Sequence, residues 1–164
     1  MPAAPLPSNE SERLAALRAL LILDTPPDQR LDRIVGFAAE EFDVPIALLS
    51  LVDADRQWFK ARVGLDVCET TREHAFCAYA LHASTPLAVP DALLDARFAD
   101  NPLVTGAPGI RFYAGAPLCL EGGLVLGTLC IIDTRPRELD TLDLHILEAL
   151  RDLILEEILQ EGGV

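Results

Sequence analysis

Two pairs of strand-like segments, each joined by a turn too short to hold a helix, constrain this fold more than any other feature. Residues 46–53 form an apolar run that reads as a buried strand. Residues 57–63 follow as a second strand after the polar turn Asp53-Ala54-Asp55-Arg56. Further along, residues 110–118 and 124–133 read as strands joined through Glu121-Gly122-Gly123, a hairpin signal. Strands joined this closely run antiparallel, because a parallel pair needs a long crossover. The sheet is therefore expected to be largely antiparallel.

Helical patterns flank these strands. Asn9 with Glu12 has the form of a capping box, and Leu14, Leu17, Leu20 and Leu21 then share one helical face. Asp24-Thr25-Pro26-Pro27 ends that helix, with Pro26 or Pro27 placed for the first turn of the next. Leu31, Ile34, Val35, Ala38 and Phe42 mark the buried face of the second helix, and Pro45 stops it. Residues 64–73 read as polar and irregular, 76–81 as a short helix, and 87–89 as a brief strand closed by Pro90-Asp91. Residues 91–109 form a long loop with a turn of helix near Arg97. Loops of this length inside a domain are usually functional, which makes it a candidate pocket wall. A long helix over 139–159 closes the pattern. The order is α-α-β-β-α-β-loop-β-β-α, an α+β arrangement with helices at both ends.

Side chains alternate along strands, so each long strand can be divided by face. Ala47, Leu49 and Leu51 oppose Ile46, Leu48, Ser50 and Val52. Ile110, Phe112, Ala114 and Ala116 oppose Arg111, Tyr113, Gly115 and Pro117. Val125, Gly127, Leu129 and Ile131 oppose Leu126, Thr128, Cys130 and Ile132. The simplest assembly puts the apolar sets under the terminal helices. The mixed sets, with Ser50, Arg111, Tyr113, Thr128 and Cys130, then face the short helix and the long loop. That is the setting of a small-ligand site, although polar groups bonded to backbone in a filled core would give the same pattern.

The 164 residues suit one domain, expected over 9–160 after a disordered tail at 1–8, and are enough to bury a core without metal or disulfides. A hydrophobic share of 51% excludes a disordered chain. No apolar run approaches a membrane span, and the N-terminus has no basic residue before an apolar run, so a cytoplasmic protein is expected. A net charge of −13 disfavours nucleic acid and anionic membranes as partners. Cys68, Cys77, Cys119 and Cys130 are dispersed and read as thiols rather than a disulfide framework.

Taken in order, several stretches resemble the GAF domain, the small-molecule sensory module of bacterial signalling proteins. They are Arg13-Leu14-Ala15-Ala16-Leu17, Leu23-Asp24-Thr25-Pro26-Pro27, Val44-Pro45-Ile46-Ala47, Leu51-Val52-Asp53 and Arg56-Gln57-Trp58-Phe59-Lys60. They continue with Phe76-Cys77-Ala78, Val89-Pro90-Asp91, Asp95-Ala96-Arg97-Phe98, Asn101-Pro102-Leu103-Val104, Arg111 through Leu118, and Gly127 through Asp133. The subgroup most similar stands at the N-terminus of sensor histidine kinases and diguanylate cyclases. The resemblance implies an antiparallel sheet of about six strands, terminal helices on one face and a ligand pocket on the other. It also implies a homodimer through the terminal helices and a histidine kinase or diguanylate cyclase as output partner. Tyr79 stands where the subgroup commonly has His, so a role for that imidazole is not carried over. A chain beginning with Met and ending in Gly-Gly-Val reads as a free-standing protein rather than an excised fragment.

The expected ligand-contacting set is Ser50, Trp58, Phe76, Cys77, Tyr79, Asp91, Arg97, Arg111, Tyr113, Thr128 and Cys130. Cys77 and Cys130 can serve redox sensing or a thiol contact, or simply fill space as small hydrophobes. Cys68, His74, Cys77 and His82 form a loose cluster, without a recognised metal-ligand spacing. Arg97 and Arg111 can hold a phosphate or carboxylate, or pair with Asp95, Asp91 or Asp100 to pin the loop. Trp58 and Phe59 are adjacent on a strand, so one points inward. In the last helix, Leu142, Ile146, Ala149 and Leu153 form one stripe. Leu144, Leu147, Leu150, Ile154 and Ile158 form a second. One is expected on the sheet and the other, with Leu14, Leu17 and Leu21, against a second subunit.

The leading function is therefore a non-enzymatic sensor for an unknown small molecule. The competing readings are a free methionine sulfoxide reductase or thiol redox sensor using Cys77 and Cys130, and a haem or bilin domain anchored near Cys77 and His82. The resemblance implies that such a reductase carries cysteines in the segment before the second hairpin; residues 91–113 hold none, which counts against the reductase.

Overall fold

One antiparallel sheet of six strands carries a separate apolar layer on each of its faces. The computed structural model describes residues 3–163, with side chains through Gln160; Met1 and Pro2 of the expected tail lie outside the described residues. The elements are α1 (Glu10–Ala19), α2 (Gln29–Glu41), β1 (Ile46–Val52), β2 (Arg56–Val63) and β3 (Glu69–Thr71). They continue with β4 (Leu87–Val89), α3 (Pro102–Thr105), β5 (Phe112–Leu120), β6 (Leu124–Asp133) and α4 (Thr141–Gly163). Short 3-10 turns cover Arg72–His74, Phe76–His82 and Ala92–Leu94. The strand order is β3-β2-β1-β6-β5-β4.

Helix α2 shows why the first layer forms. Asp28 accepts from the backbone N–H groups of Arg30 at 2.8 Å and Leu31 at 3.3 Å, satisfying two orphan donors of the first turn. Leu31, Val35, Ala38 and Phe42 then recur at helical spacing and are buried, and Ile34 packs beside them. Full burial of each large side chain stabilises by about 1.5–3 kcal/mol. Asp43 turns the chain into the left-handed region at φ 50°, two residues before Pro45. The prolines do not open this helix as expected; Pro26 and Pro27 precede the cap.

Helix α1 starts where Asn9 places it, but not by a capping box. Asn9 lies at φ −104°, ψ 27° rather than in extended backbone, and makes no side-chain cap. Its amide instead donates to the Gly123 carbonyl at 3.3 Å. Leu17 is fully buried in the helix-side core, so it is not available to a second subunit. In α4, Leu147, Leu150, Ile154 and Ile158 are buried, whereas Leu142 is 66% and Leu153 is 47% exposed. The second stripe therefore faces the sheet, and the first, apart from Ile146 at the edge of the core, is left at the surface. Among the described residues, no helix is long and apolar enough to cross a membrane.

Two bulges correct the simple face assignment. Leu49 pairs with Ala61 but Ser50 pairs with Phe59, so Lys60 is an extra residue in β2. Trp58, opposite Leu51, lies on the helix face and Phe59 on the other, and the extra residue brings Ala61 back to the helix face. In β6 an extra residue separates the Pro117–Thr128 and Cys119–Val125 pairs. Leu126 therefore joins Leu129 and Ile131 under the helices while Val125 faces away, the reverse of the expected sets. A bulge puts two residues opposite one and breaks the two-residue alternation. Ile110 also moves to the far face, because it precedes β5 and is not bound by that strand's parity. Strand β3, in the segment read as irregular, completes one edge through pairs such as Trp58 with Glu69.

Candidate functional site: an apolar cavity over the sheet

A cavity of about 370 Å³ lies on the face away from the terminal helices. Its floor is Ile46 and Leu48 of β1, Gln57 and Phe59 of β2, Tyr113 of β5, and Cys130 and Ile132 of β6. Its cover is Leu65 and Val67, Thr70 of β3, Phe76, Leu103, Ala107 and Pro108 of the long loop, and Ile110 just after it. None of these residues is charged.

The cover is held by aromatic and ionic contacts. Phe76 stacks on Phe98 with centroids 4.1 Å apart and planes 5° from parallel, and lies 5.2 Å from the Tyr113 ring. Tyr79 meets Phe98 edge-on at 5.1 Å. The Arg97 guanidinium lies over both Phe98, at 5.0 Å, and Tyr79, at 5.7 Å. Arg111 donates to both oxygens of Asp91, at 2.8 and 2.7 Å, and Arg97 does the same to Asp95, at 3.0 and 2.8 Å. These bonds hold the Asp91 and Asp95 carboxyls below the usual carboxylate range. The Asn101 amide donates to the His74 carbonyl at 3.0 Å, while its oxygen accepts from the Leu103 N–H at 2.9 Å. The loop is therefore a fixed wall, and Asp91, Arg97 and Arg111 serve it as pins outside the cavity lining.

Behind the floor lies a buried polar strip. Ser50 donates to Gln57 Oε1 at 2.8 Å, and Cys77 donates to the same oxygen. Gln57 Nε2 donates in turn to Thr70 Oγ1 at 2.8 Å. The Tyr113 hydroxyl lies 3.3 Å from Thr128 Oγ1. Burial pushes the Cys77 thiol up to about 11 and raises Cys130 and the Tyr113 phenol as well. All three stay protonated near neutral pH. A thiol held in that form is a poor nucleophile, so the floor offers apolar contact and neutral hydrogen bonds rather than thiolate chemistry.

Of the expected contact residues, Phe76, Tyr113 and Cys130 line the cavity. Ser50, Cys77 and Thr128 sit in the strip behind it, and Tyr79 supports the cover. Trp58 lies on the opposite face, where its pairing with Leu51 puts it. The expected set lacks Ile46, Leu48, Gln57, Phe59 and Ile132 of the floor, and Thr70, Leu65, Val67, Leu103, Ala107, Pro108 and Ile110 of the cover. Gln57 and Phe59 were legible from strand parity; the cover carries no such period. His74 bonds Thr71 Oγ1, and His82 donates to the Pro5 carbonyl at 2.7 Å. Cys68 is exposed. Among the described residues, no three His, Cys, Asp or Glu side chains are grouped to hold a metal.

A second polar cluster ties this face to α1. Arg13 is fully buried; it donates to Glu10 at 2.9 Å and to the Val125 carbonyl at 3.3 Å. Arg72, between β3 and the Phe76 turn, donates to Glu10 Oε1 at 3.2 Å and to the Asp53 carbonyl at 3.0 Å. Burial alone would raise the Glu10 carboxyl, but the bonds from Arg72 and Arg13 hold it down at about 2.

Comparison with known proteins agrees with this architecture. The chain is 45% identical over 159 residues to a cyclic di-GMP phosphodiesterase of Pseudomonas aeruginosa, covering 96% of this chain and 27% of that protein. It thus spans about a quarter of that relative's length. The GAF domain of a phosphoenolpyruvate-protein phosphotransferase from Coxiella burnetii superposes with a TM-score of 0.68 at 19% identity, covering 96% of this chain and all of that one. A free methionine-R-sulfoxide reductase from Neisseria meningitidis gives 0.64 at 17% identity, covering 99% and 98%. These two likenesses concern the fold alone. The family model described as the GAF domain matches residues 26–158, and the chain belongs to the GAF domain family.

Proposed function

We propose that this domain is a non-enzymatic sensory module of a bacterial signalling protein. It takes a small molecule into the cavity and passes the change to the terminal helices. The observation that carries this reading is the division of the sheet: a cavity with uncharged walls on one face, α1 and α4 on the other, and Arg72–Glu10 bridging them. The exposed Leu142, Ala149 and Leu153 of α4 suit pairing with a second copy, since an apolar stripe at helical spacing left in water is an association surface. The relative that degrades cyclic di-GMP supports an output in the turnover of that messenger. The reading places the domain in the cytoplasm.

Native mass spectrometry of the freshly purified chain, set beside its denatured mass, tests this. The expected result is a dimer carrying extra non-covalent mass, with no thiol-dependent consumption of free methionine sulfoxide. A bare monomer that reduces methionine sulfoxide, and loses that activity in Cys77→Ser or Cys130→Ser, would overturn the reading.

A further inference from the structure

The structure points to a neutral, largely apolar ligand of about 15 non-hydrogen atoms, with one oxygen acceptor directed at the Gln57–Thr70 end of the cavity. We propose this as the ligand class of the site; the inference rests on the ligand-sensing reading above.

Size comes first. An apolar protein cavity of about 150 Å³ holds benzene, which has six carbon atoms. The cavity here is about 370 Å³, and the same ratio gives about 15 atoms, roughly two fused rings with a short substituent.

Charge comes next. No lining residue is ionisable except Tyr113 and Cys130, and burial keeps both neutral. An anion placed there would lose its hydration without gaining a partner, which is strongly unfavourable. The cations of the covering loop do not change this, because Arg97 and Arg111 each hold their own carboxylate through two bonds. The wall therefore selects against phosphates and carboxylates, the cyclic dinucleotides included.

The polar end sets orientation. Gln57 Oε1 is occupied by Ser50 and Cys77, and Gln57 Nε2 donates to Thr70 Oγ1. Because Thr70 accepts that bond, its own hydroxyl proton is the one it can offer to a ligand. A ketone, ether or hydroxyl oxygen on an otherwise apolar frame matches it.

A matched pair of fluorophores tests the inference. The neutral ketone 6-propionyl-2-dimethylaminonaphthalene has the required size and one carbonyl. 6-Dimethylamino-2-naphthoate replaces that ketone with a carboxylate. The ketone should bind saturably, one per chain, with a blue-shifted emission; the carboxylate should bind at least about tenfold more weakly, a difference of about 1.4 kcal/mol. Leu103→Trp on the covering loop fills the cavity and should abolish the blue shift. Thr70→Val should weaken ketone binding by about threefold to tenfold, the range of one neutral hydrogen bond. A carboxylate that competes for the same site at equal or greater affinity would overturn the neutral class and leave the ligand-sensing reading standing. If neither dye binds saturably to protein whose circular dichroism shows it folded, both fall. Ketone binding untouched by both Leu103→Trp and Ile132→Phe would overturn the assignment to this cavity.

Discussion

Arg72 reaches across 62 residues of sequence to donate both terminal nitrogens to the carboxylate of Glu10. Arg72 follows the strand that contributes Thr70 to the cavity and precedes the turn that contributes Phe76; Glu10 opens the first helix. The bond pair therefore joins the cover of the site to the element on the opposite side of the sheet. Glu10 also neutralises Arg13, whose side chain is wholly shielded from water.

Removing the shared carboxylate should be expensive. Glu10→Ala leaves the buried Arg13 charge without its anion, a change of the kind that destabilises by about 3–5 kcal/mol. Urea denaturation should show the loss as a lower midpoint at unchanged slope. Arg18→Ala, which breaks an exposed pair with Asp53, should change stability by less than about 1 kcal/mol.

The same carboxylate sets an acid limit. Its folded value, about 2, lies below the ordinary carboxylate value of 4.5. The unfolded chain therefore binds the proton more readily, and Glu10's contribution is full above the ordinary value. It is lost as pH falls from about 5 toward 2. Thermal unfolding across that range should show a steep decline in the wild type and a shallower one in Glu10→Gln.

The cysteines should divide by burial. Cys68 is exposed, whereas Cys77 and Cys130 are buried and held as thiols. A chromogenic disulfide reagent at neutral pH should modify Cys68 quickly, and Cys77 and Cys130 only after denaturant is added. Rapid native modification of Cys130 would show an open cavity floor instead.

Two glycines should respond in opposite directions to alanine. A Cβ on Gly127 would lie 1.9 Å from the Ser50 carbonyl oxygen, within the β1–β6 ladder, so Gly127→Ala must part those strands. A loss above about 4 kcal/mol, or no soluble protein, is expected. A Cβ on Gly36, inside α2, meets nothing within 4 Å, and Gly36→Ala should stabilise by about 0.5–1 kcal/mol. Calorimetric melting temperatures separate the two.

Much of this architecture was legible in the sequence because it rests on periodicity. Leu31, Val35, Ala38 and Phe42 announce one helix face, and Ala47, Leu49 and Leu51 one strand face. The length of the 91–109 loop points to a wall, and Leu103, Ala107 and Pro108 do cover the cavity. What stayed hidden breaks the period. The bulge at Lys60 returns Ala61 to the helix side beside Trp58, the bulge in β6 exchanges Leu126 with Val125, and three polar residues make β3. The loop arginines looked equally suited to a ligand or to a neighbour, and only distance shows that Asp91 and Asp95 hold them. Sequence also cannot show that Gln57 gathers Ser50, Cys77 and Thr70 into one strip, because those bonds join four segments.

The most direct measurement is hydrogen exchange of the whole chain, free and saturated with the neutral ketone, resolved by segment. Slower exchange is expected in the covering segments around Thr70, Phe76 and Leu103 and also in α1 near Glu10 and Leu17. The α1 response should disappear in Glu10→Gln while the covering segments still respond. Protection confined to the covering segments in the wild type would contradict the claim that the cavity and the terminal helices are coupled.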